Sequence, residues 1–294
     1  MADPFPTCWL NGAFLPLAEA RVSPLDRGFL FGDGVYEVVP VHRGRPFRLR
    51  QHLERLERSL AEVRMRNVLT RAGWVEVIDR LVAGAGQPEL LVYMQVTRGA
   101  EDGRNHLFPP ESVAPTGFAF AGPYPAPASA VLQRGLAATL HEDTRWARCD
   151  IKSVALLANV LLRQDAQERG SAEAILVRDG HVTEGSSSTV FIVRDGSLVT
   201  TPNSPAILPG TTRDAVLDLA RDWLPVKIRD VAADELRAAD EVWIASAGRG
   251  VLPVTTVDGR AIGSGAPGPA WQRMYAQLQQ HLDAVAARPA MEDA

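Results

Sequence analysis

Lysine is nearly missing from this sequence. Only Lys152 and Lys227 occur among 31 cationic residues, so almost every positive charge is written as arginine. No basic run stands anywhere, and the formal net charge is −4, which argues against a nucleic-acid or anionic-membrane surface. Cysteine is scarce too. Cys8 and Cys149 have no metal-ligand spacing, which predicts a reducing compartment, no disulfide framework and no metal site. The longest apolar stretch, Val154–Leu162, is too short to span a bilayer and contains Asn159. The opening MADPFPTCWLNG lacks a basic and then apolar leader pattern. Together these absences predict a soluble cytoplasmic protein with neither nucleic acid nor membrane as a partner.

The rest of the composition is that of a globular chain, and 294 residues suffice for two domains. Leu49, Leu53, Leu56, Leu60 and Val63 recur at helical spacing, and a second helix is expected over Trp74–Ala83. WLNGAF carries an Asn11-Gly12 hairpin signal, and VYEVVPVHRGRPF reads as two strands turning at Gly44. Pro40 inside the first of these marks an edge position. LLVYMQVTRG reads as a buried strand. AGPYPAPAS, with three prolines and a glycine, reads as a linker. The expected division is an N-terminal domain over 1–121, a linker over 122–129 and a C-terminal domain over 130–294. Beyond the linker come a strand near Leu136–Leu140 and a long helix from about Ser153 to Glu168. Hairpins follow at Asp179-Gly180 and Asp195-Gly196, then a helix opened by LPGTTRD, the strand in DEVWIAS and a last helix near Ala270–Ala286. Helices mixed with hairpins predict two α/β or α+β domains.

Lys152 follows a short β-like stretch and precedes an apolar helix. An amine can lose its proton and attack a carbonyl, whereas a guanidinium stays charged and forms no Schiff base. Position alone, however, favours an exposed lysine at a helix start. Lys227, between Val226 and Ile228, reads as a solvent-facing strand residue. A Schiff-base lysine serving pyridoxal phosphate would also need a phosphate site and a partner for the ring nitrogen. LPGTTRD places a glycine and two threonines before a helix, which suits a phosphate or equally a plain N-cap. TEGSSSTVF places Glu184 before a small-residue turn, where a surface carboxylate is the alternative.

Five ordered blocks carry a family resemblance: DRGFLFGDGVYEVV, YMQVTRG, WARCDIKS, EAILVRDGHVTEGSSSTVF and ILPGTTRD. Over about Trp9–Val257 the chain resembles the fold-type IV pyridoxal-phosphate aminotransferases, most closely their D-amino-acid branch. The resemblance implies a two-domain α/β homodimer with the cofactor in the interdomain cleft. It implies that Lys152 carries the Schiff base and moves the Cα proton, and that Glu184 pairs with the pyridine nitrogen. Arg55, Thr211, Thr212 and Ser246 would hold the phosphate, Leu208 would pack on the ring and Ser187 would border it. Tyr36 and Val38 would contact substrate. Arg104 and His106 would reach in from the partner subunit to bind the α-carboxylate, for which a guanidinium fork is suited.

The implied reaction is ping-pong transfer of the amino group of a D-amino acid, such as D-alanine or D-glutamate, to 2-oxoglutarate or pyruvate. The alternatives are a branched-chain L-amino-acid or (R)-amine transaminase, an aminodeoxychorismate lyase of the same fold, or a non-catalytic phosphate-ligand-binding protein. Val38, Val39 and Pro40 stand where branched-chain enzymes have a glycine and an arginine, which weakens that alternative. Two further departures bear on substrate and cofactor affinity. Glu101 and Asp102 add negative charge before Arg104, and Ala247 and Gly248 stand where hydroxyl residues are usual.

Overall fold

The computed structural model describes residues 5–124 and 126–287; Pro125, inside the expected linker, lies outside them. The chain divides into two compact units. One comprises Met1–Pro125, Ile151–Leu156 and Leu282–Ala294, and the other Ala126–Asp150 and Leu157–His281. The sequence division differs: the segment bearing Lys152 and the stretch from Leu282 belong to the first unit, and the boundary between the units falls within the expected linker.

The first unit holds β1 (Thr7–Leu10), β2 (Ala13–Pro16), α1 (Arg27–Phe31), β3 (Gly34–His42), β4 (Arg45–Pro46), α2 (Leu49–Glu62), α3 (Arg71–Ala85), β5 (Leu90–Thr97) and β6 (Thr116–Pro123). Its antiparallel sheet has the order β2-β1-β6-β5-β3-β4. The leucine stripe of α2 is buried with Trp74, Val77, Ile78 and Leu81 of α3 and with Trp9, Val35, Val39 and Met94 of the sheet. Burying each such side chain fully is worth about 1.5–3 kcal/mol. The expected edge character of Pro40 has a local basis. On the side away from β5, β3 pairs with β4 only at Val41–Pro46 and His42–Arg45.

That open side of β3 explains why the helix expected from Ser153 starts later. Tyr36 N donates to Lys152 O at 2.9 Å and Val154 N to Gly34 O at 3.0 Å, with a bridge between Val35 and Ser153. Residues 152–154 are thus recruited as a strand-like strip, and their backbone groups are spent on β3 rather than on a helical turn.

The second unit holds α4 (Ser129–Arg134), β7 (Leu136–Glu142), α5 (Leu157–Glu168), β8 (Glu173–Arg178), β9 (His181–Gly185), β10 (Thr189–Arg194), β11 (Ser197–Thr200), α6 (Thr211–Ala220), β12 (Val226–Ile228), α7 (Ala233–Arg237), β13 (Glu241–Ser246), β14 (Gly250–Val257), β15 (Arg260–Ala261) and most of α8 (Pro269–Ala286). Its sheet runs β12-β11-β10-β13-β14-β7-β8-β9, with β15 on β14. The pairs β11–β12, β14–β7 and β7–β8 are parallel and the others antiparallel, so the sheet is mixed. The Asn11-Gly12, Asp179-Gly180 and Asp195-Gly196 turns have positive φ at both residues, as type I′ hairpins require. Among the described residues no helix is long and apolar enough to cross a membrane.

Candidate active site

In the first unit Lys152 is fixed by its backbone. Its carbonyl accepts from Tyr36, and its N–H donates to Ser59 Oγ of α2 at 3.3 Å. The side chain is half-buried, and Nζ lies 4.2 Å from the centroid of the Tyr36 ring. Tyr36 and Val38 stand two residues apart on β3 and so share a face. Lys227, on β12, is exposed.

Glu37, between Tyr36 and Val38, points to the opposite face and is fully buried. Arg55 of α2 meets it with a fork, Nε to Oε1 at 2.7 Å and Nη2 to Oε2 at 2.9 Å. His52 Nδ1 lies 2.7 Å from Oε2. Burial would raise the Glu37 carboxyl, but Arg55 and His52 outweigh it and hold the carboxyl well below its usual range. Burial, aided by the charges of Arg55 and Lys152, pushes the His52 imidazole below its ordinary value despite Glu37. Arg55 is therefore a buried residue with two nitrogens engaged by Glu37.

Arg104 and His106 lie in the exposed loop between β5 and β6. The Arg104 guanidinium is 4.7 Å from the Phe31 ring centroid, and the His106 ring is 5.2 Å from the same centroid. The structure thus brings the two residues together against one aromatic ring. Glu101, whose charge counted against a carboxylate site, is paired with Arg27 at 2.8 Å.

In the second unit Glu184 is the penultimate residue of β9 and is buried. It accepts from Leu208 N at 3.1 Å and, at very short range, from Arg145 Nη1. Burial pushes its carboxyl up to about 6, and Arg145 limits the rise. Arg145 also donates to Asp143, through Nε at 2.8 Å and Nη2 at 2.9 Å, and to Ala206 O. Thr183 Oγ1 and Arg178 complete the shell around Asp143. Burial would raise Asp143, yet its bonds to Arg145 hold it below the ordinary value.

Thr211 and Thr212 are buried in the first turn of α6. The N-cap, Gly210, offers no side chain to that turn. A Cβ there would meet Thr189 Oγ1 at 2.8 Å and Arg213 Cβ at 3.0 Å, so only glycine fits this closely packed corner. Ser187 is exposed, and Ser246 ends β13 opposite Gly250. Ala247 and Gly248 lie in the tight turn that Arg249 N closes on Ser246 O.

Several residues at these places carried no sequence signal. Glu173, buried on β8, accepts from Ser186 N, Ser188 Oγ and Arg249 Nη1, and closely from Ser186 Oγ. That bonding explains two serines of the small-residue turn. Arg145, Asp143 and Glu37 were likewise silent, although Arg145 and Asp143 stand close before Lys152 and Glu37 adjoins Tyr36.

These groups suit pyridoxal phosphate. Lys152 is a half-buried primary amine, Glu184 a buried carboxylate of the kind a basic ring nitrogen would need, and Gly210–Thr212 the start of a helix, where an anion would be favoured.

The model of the family described as amino-transferase class IV matches residues 34–257. The chain is 40% identical over 273 residues to a D-alanine aminotransferase of Bacillus licheniformis, covering 92% of this chain and 95% of that one. It is 37% identical over 276 residues to the D-alanine aminotransferase of Staphylococcus haemolyticus, covering 94% and 97%. Among solved structures, a T.th. branched-chain amino acid aminotransferase, determined with pyridoxamine 5′-phosphate, superposes with a TM-score of 0.88 at 27% identity over 99% of this chain and 97% of that one. The Escherichia coli branched-chain enzyme shares the fold, with a TM-score of 0.89 at 24% identity over 99% and 98%. Full-length relatives, the matched family model and the shared two-sheet fold lead to one assignment: the chain belongs to the class IV aminotransferases.

Proposed function

We propose that this aminotransferase is pyridoxal-phosphate dependent and acts on D-amino acids of the D-alanine and D-glutamate type, with 2-oxoglutarate or pyruvate as acceptor. The observation that carries the substrate reading is the placement of Arg104 and His106 on Phe31, where an exposed guanidinium and imidazole stand ready for a carboxylate. The D-alanine aminotransferases that match along nearly the whole chain support it. In a homodimer this loop would serve the partner's site. Cys8 and Cys149, both buried free thiols, suit the cytoplasm.

When bound, the cofactor accepts the electron pair left at Cα as the α-proton departs. The chain's own residues do the rest. The Lys152 amine would hold the cofactor covalently and, once released by the substrate amine, would take the α-proton as general base. Glu184 holds a proton at the ring nitrogen, and Arg145 keeps the carboxylate aimed. Leu208 would pack on the ring and Ser187 would border it. The α6 start, Arg55 and Ser246 bind phosphate. Arg104 and His106 orient the substrate by its carboxylate, while Tyr36 and Val38 shape the pocket beside it.

The test is a half-reaction. D-Alanine and, separately, L-leucine are added to the yellow holoenzyme with no oxo acid present. Loss of the yellow absorbance with D-alanine alone is the expected result. Loss with L-leucine alone would move the assignment to the branched-chain class, the activity named for the structural neighbours.

A further inference from the structure

The β5–β6 loop is long, carries the two residues assigned to the substrate carboxylate, and has little regular structure of its own. Its neck is closed firmly. Thr97 and Thr116 face each other across β5 and β6, and both hydroxyls donate to Asp26 Oδ2, at 2.9 and 2.7 Å. Gly99 has φ +89°, and a Cβ there would lie 2.0 Å from Ala114 O. Beyond this neck a different residue reaches the tip.

Arg27, the first residue of α1, is almost wholly buried. Its Nη1 donates to Glu101 Oε1 at 2.8 Å and to Asn105 O at 2.6 Å, while Nε donates to Asp33 Oδ2 at 2.9 Å. Asp33 is shared with Arg98, so one carboxylate steadies two guanidinium groups. The Arg27 guanidinium lies 4.9 Å from the Phe31 ring centroid, on the ring that Arg104 and His106 also contact. Asn105 is the residue between Arg104 and His106. Arg27 therefore grips the backbone at the midpoint of the pair with a charge-assisted bond, and grips the aromatic ring on which both side chains rest.

We propose that Arg27 is the positioning residue of the carboxylate-binding pair. It fixes the Asn105 carbonyl so that Arg104 and His106 are presented together. It also draws the Glu101 charge into an ion pair, so that this carboxylate does not repel the substrate's. This rests on the reading of Arg104 and His106 given above and adds to it the residue through which their placement is set.

The experiment uses full-length holoenzyme with Arg27→Gln. Two quantities are read: the rate at which trypsin cleaves after Arg104, followed by mass spectrometry, and the D-alanine half-reaction across substrate concentration. With the anchor gone, cleavage after Arg104 should quicken about fivefold, as expected where local structure is loosened. The apparent Kd for D-alanine should rise about tenfold while the limiting rate changes far less. In an Arg104→Ala background the Arg27 substitution should add little further loss, since the two act through one contact. Glu101→Gln, which removes one ion pair at a partly exposed position, gives a second variant should Arg27→Gln not fold; its Kd should rise about threefold.

Unchanged cleavage and unchanged Kd in the folded variants would overturn the proposal. So would full additivity with Arg104→Ala, or a fall in limiting rate with no change in Kd. If the unaltered enzyme ignores D-alanine, the substrate reading falls instead, and the cleavage rates alone decide whether Arg27 anchors the loop.

Discussion

Arg145 joins Glu184 to Asp143: Nη1 serves the first carboxylate, while Nε and Nη2 serve the second. All three side chains are almost fully buried. Removing one member of such a cluster leaves charge unpaired in a dry site. Arg145→Met should therefore destabilise the apoprotein by about 3–5 kcal/mol in urea unfolding. Arg145→Lys should recover part of this, because an ammonium restores the charge without the fork. A loss below about 1 kcal/mol in Arg145→Met would mean that neither carboxylate depends on it.

The same cluster fixes a pH dependence. Burial raises the Glu184 carboxyl from 4.5 to about 6. A carboxyl raised on folding stabilises the native state most when both states are protonated, and that contribution is lost as pH rises through the folded value. The stability of apo wild type relative to Glu184→Gln should thus fall by about 2 kcal/mol in all, most steeply between pH 4.5 and 6, and level off about a unit above the folded value. Asp143, held below its usual value, works in the opposite direction: its contribution is present above the ordinary carboxylate range and fails in stronger acid. Thermal unfolding of both proteins across this range checks the sign. A relative stability that rises over the same interval would contradict it.

What could be read in the sequence was local. The leucine stripe of α2, the Asp-Gly and Asn-Gly turns and the glycine-threonine opening of α6 each express a rule about neighbours in the chain, and each stands where its letters indicate. The scarcity of lysine singled out Lys152 as a candidate, but its conformation could not be read from its neighbours. Residues 152–154 follow Gly34 and Tyr36, more than a hundred positions away. The buried ion pairs were illegible for the same reason. Arg27, Arg55, Arg145 and Arg249 look alike in a sequence with so many arginines, and only their carboxylate partners separate structural from exposed ones.

Arg55 is where a structural and a cofactor-binding role can be told apart. Its fork to Glu37 is structural, and phosphate binding would draw on the same guanidinium. Arg55→Lys keeps the charge and loses the bidentate geometry. Its Kd for pyridoxal phosphate should rise about tenfold. Glu37→Gln should instead act first on stability, by about 3–5 kcal/mol, because it strands a buried guanidinium. Fluorescence titration of each apoprotein with the cofactor, beside urea unfolding, separates the two effects. Unaltered cofactor affinity in Arg55→Lys would confine Arg55 to the structural role.

Lys152→Arg puts the scarcity of lysine to a direct test. The substitution keeps a cation above the Tyr36 ring, where Nζ lies 4.2 Å from the centroid, and removes the primary amine. If charge were what the position needs, function would survive. If a nucleophilic amine and general base are needed, borohydride should fix no cofactor to the chain, and the half-reaction should slow at least about 10²–10⁴-fold, the usual reach of a lost acid–base group. Lys152→Ala should behave alike, since neither variant has an amine to offer. Peptide mapping after reduction of the wild type should find the cofactor on Lys152; finding it on Lys227, the exposed residue of β12, would move the chemistry to the other unit.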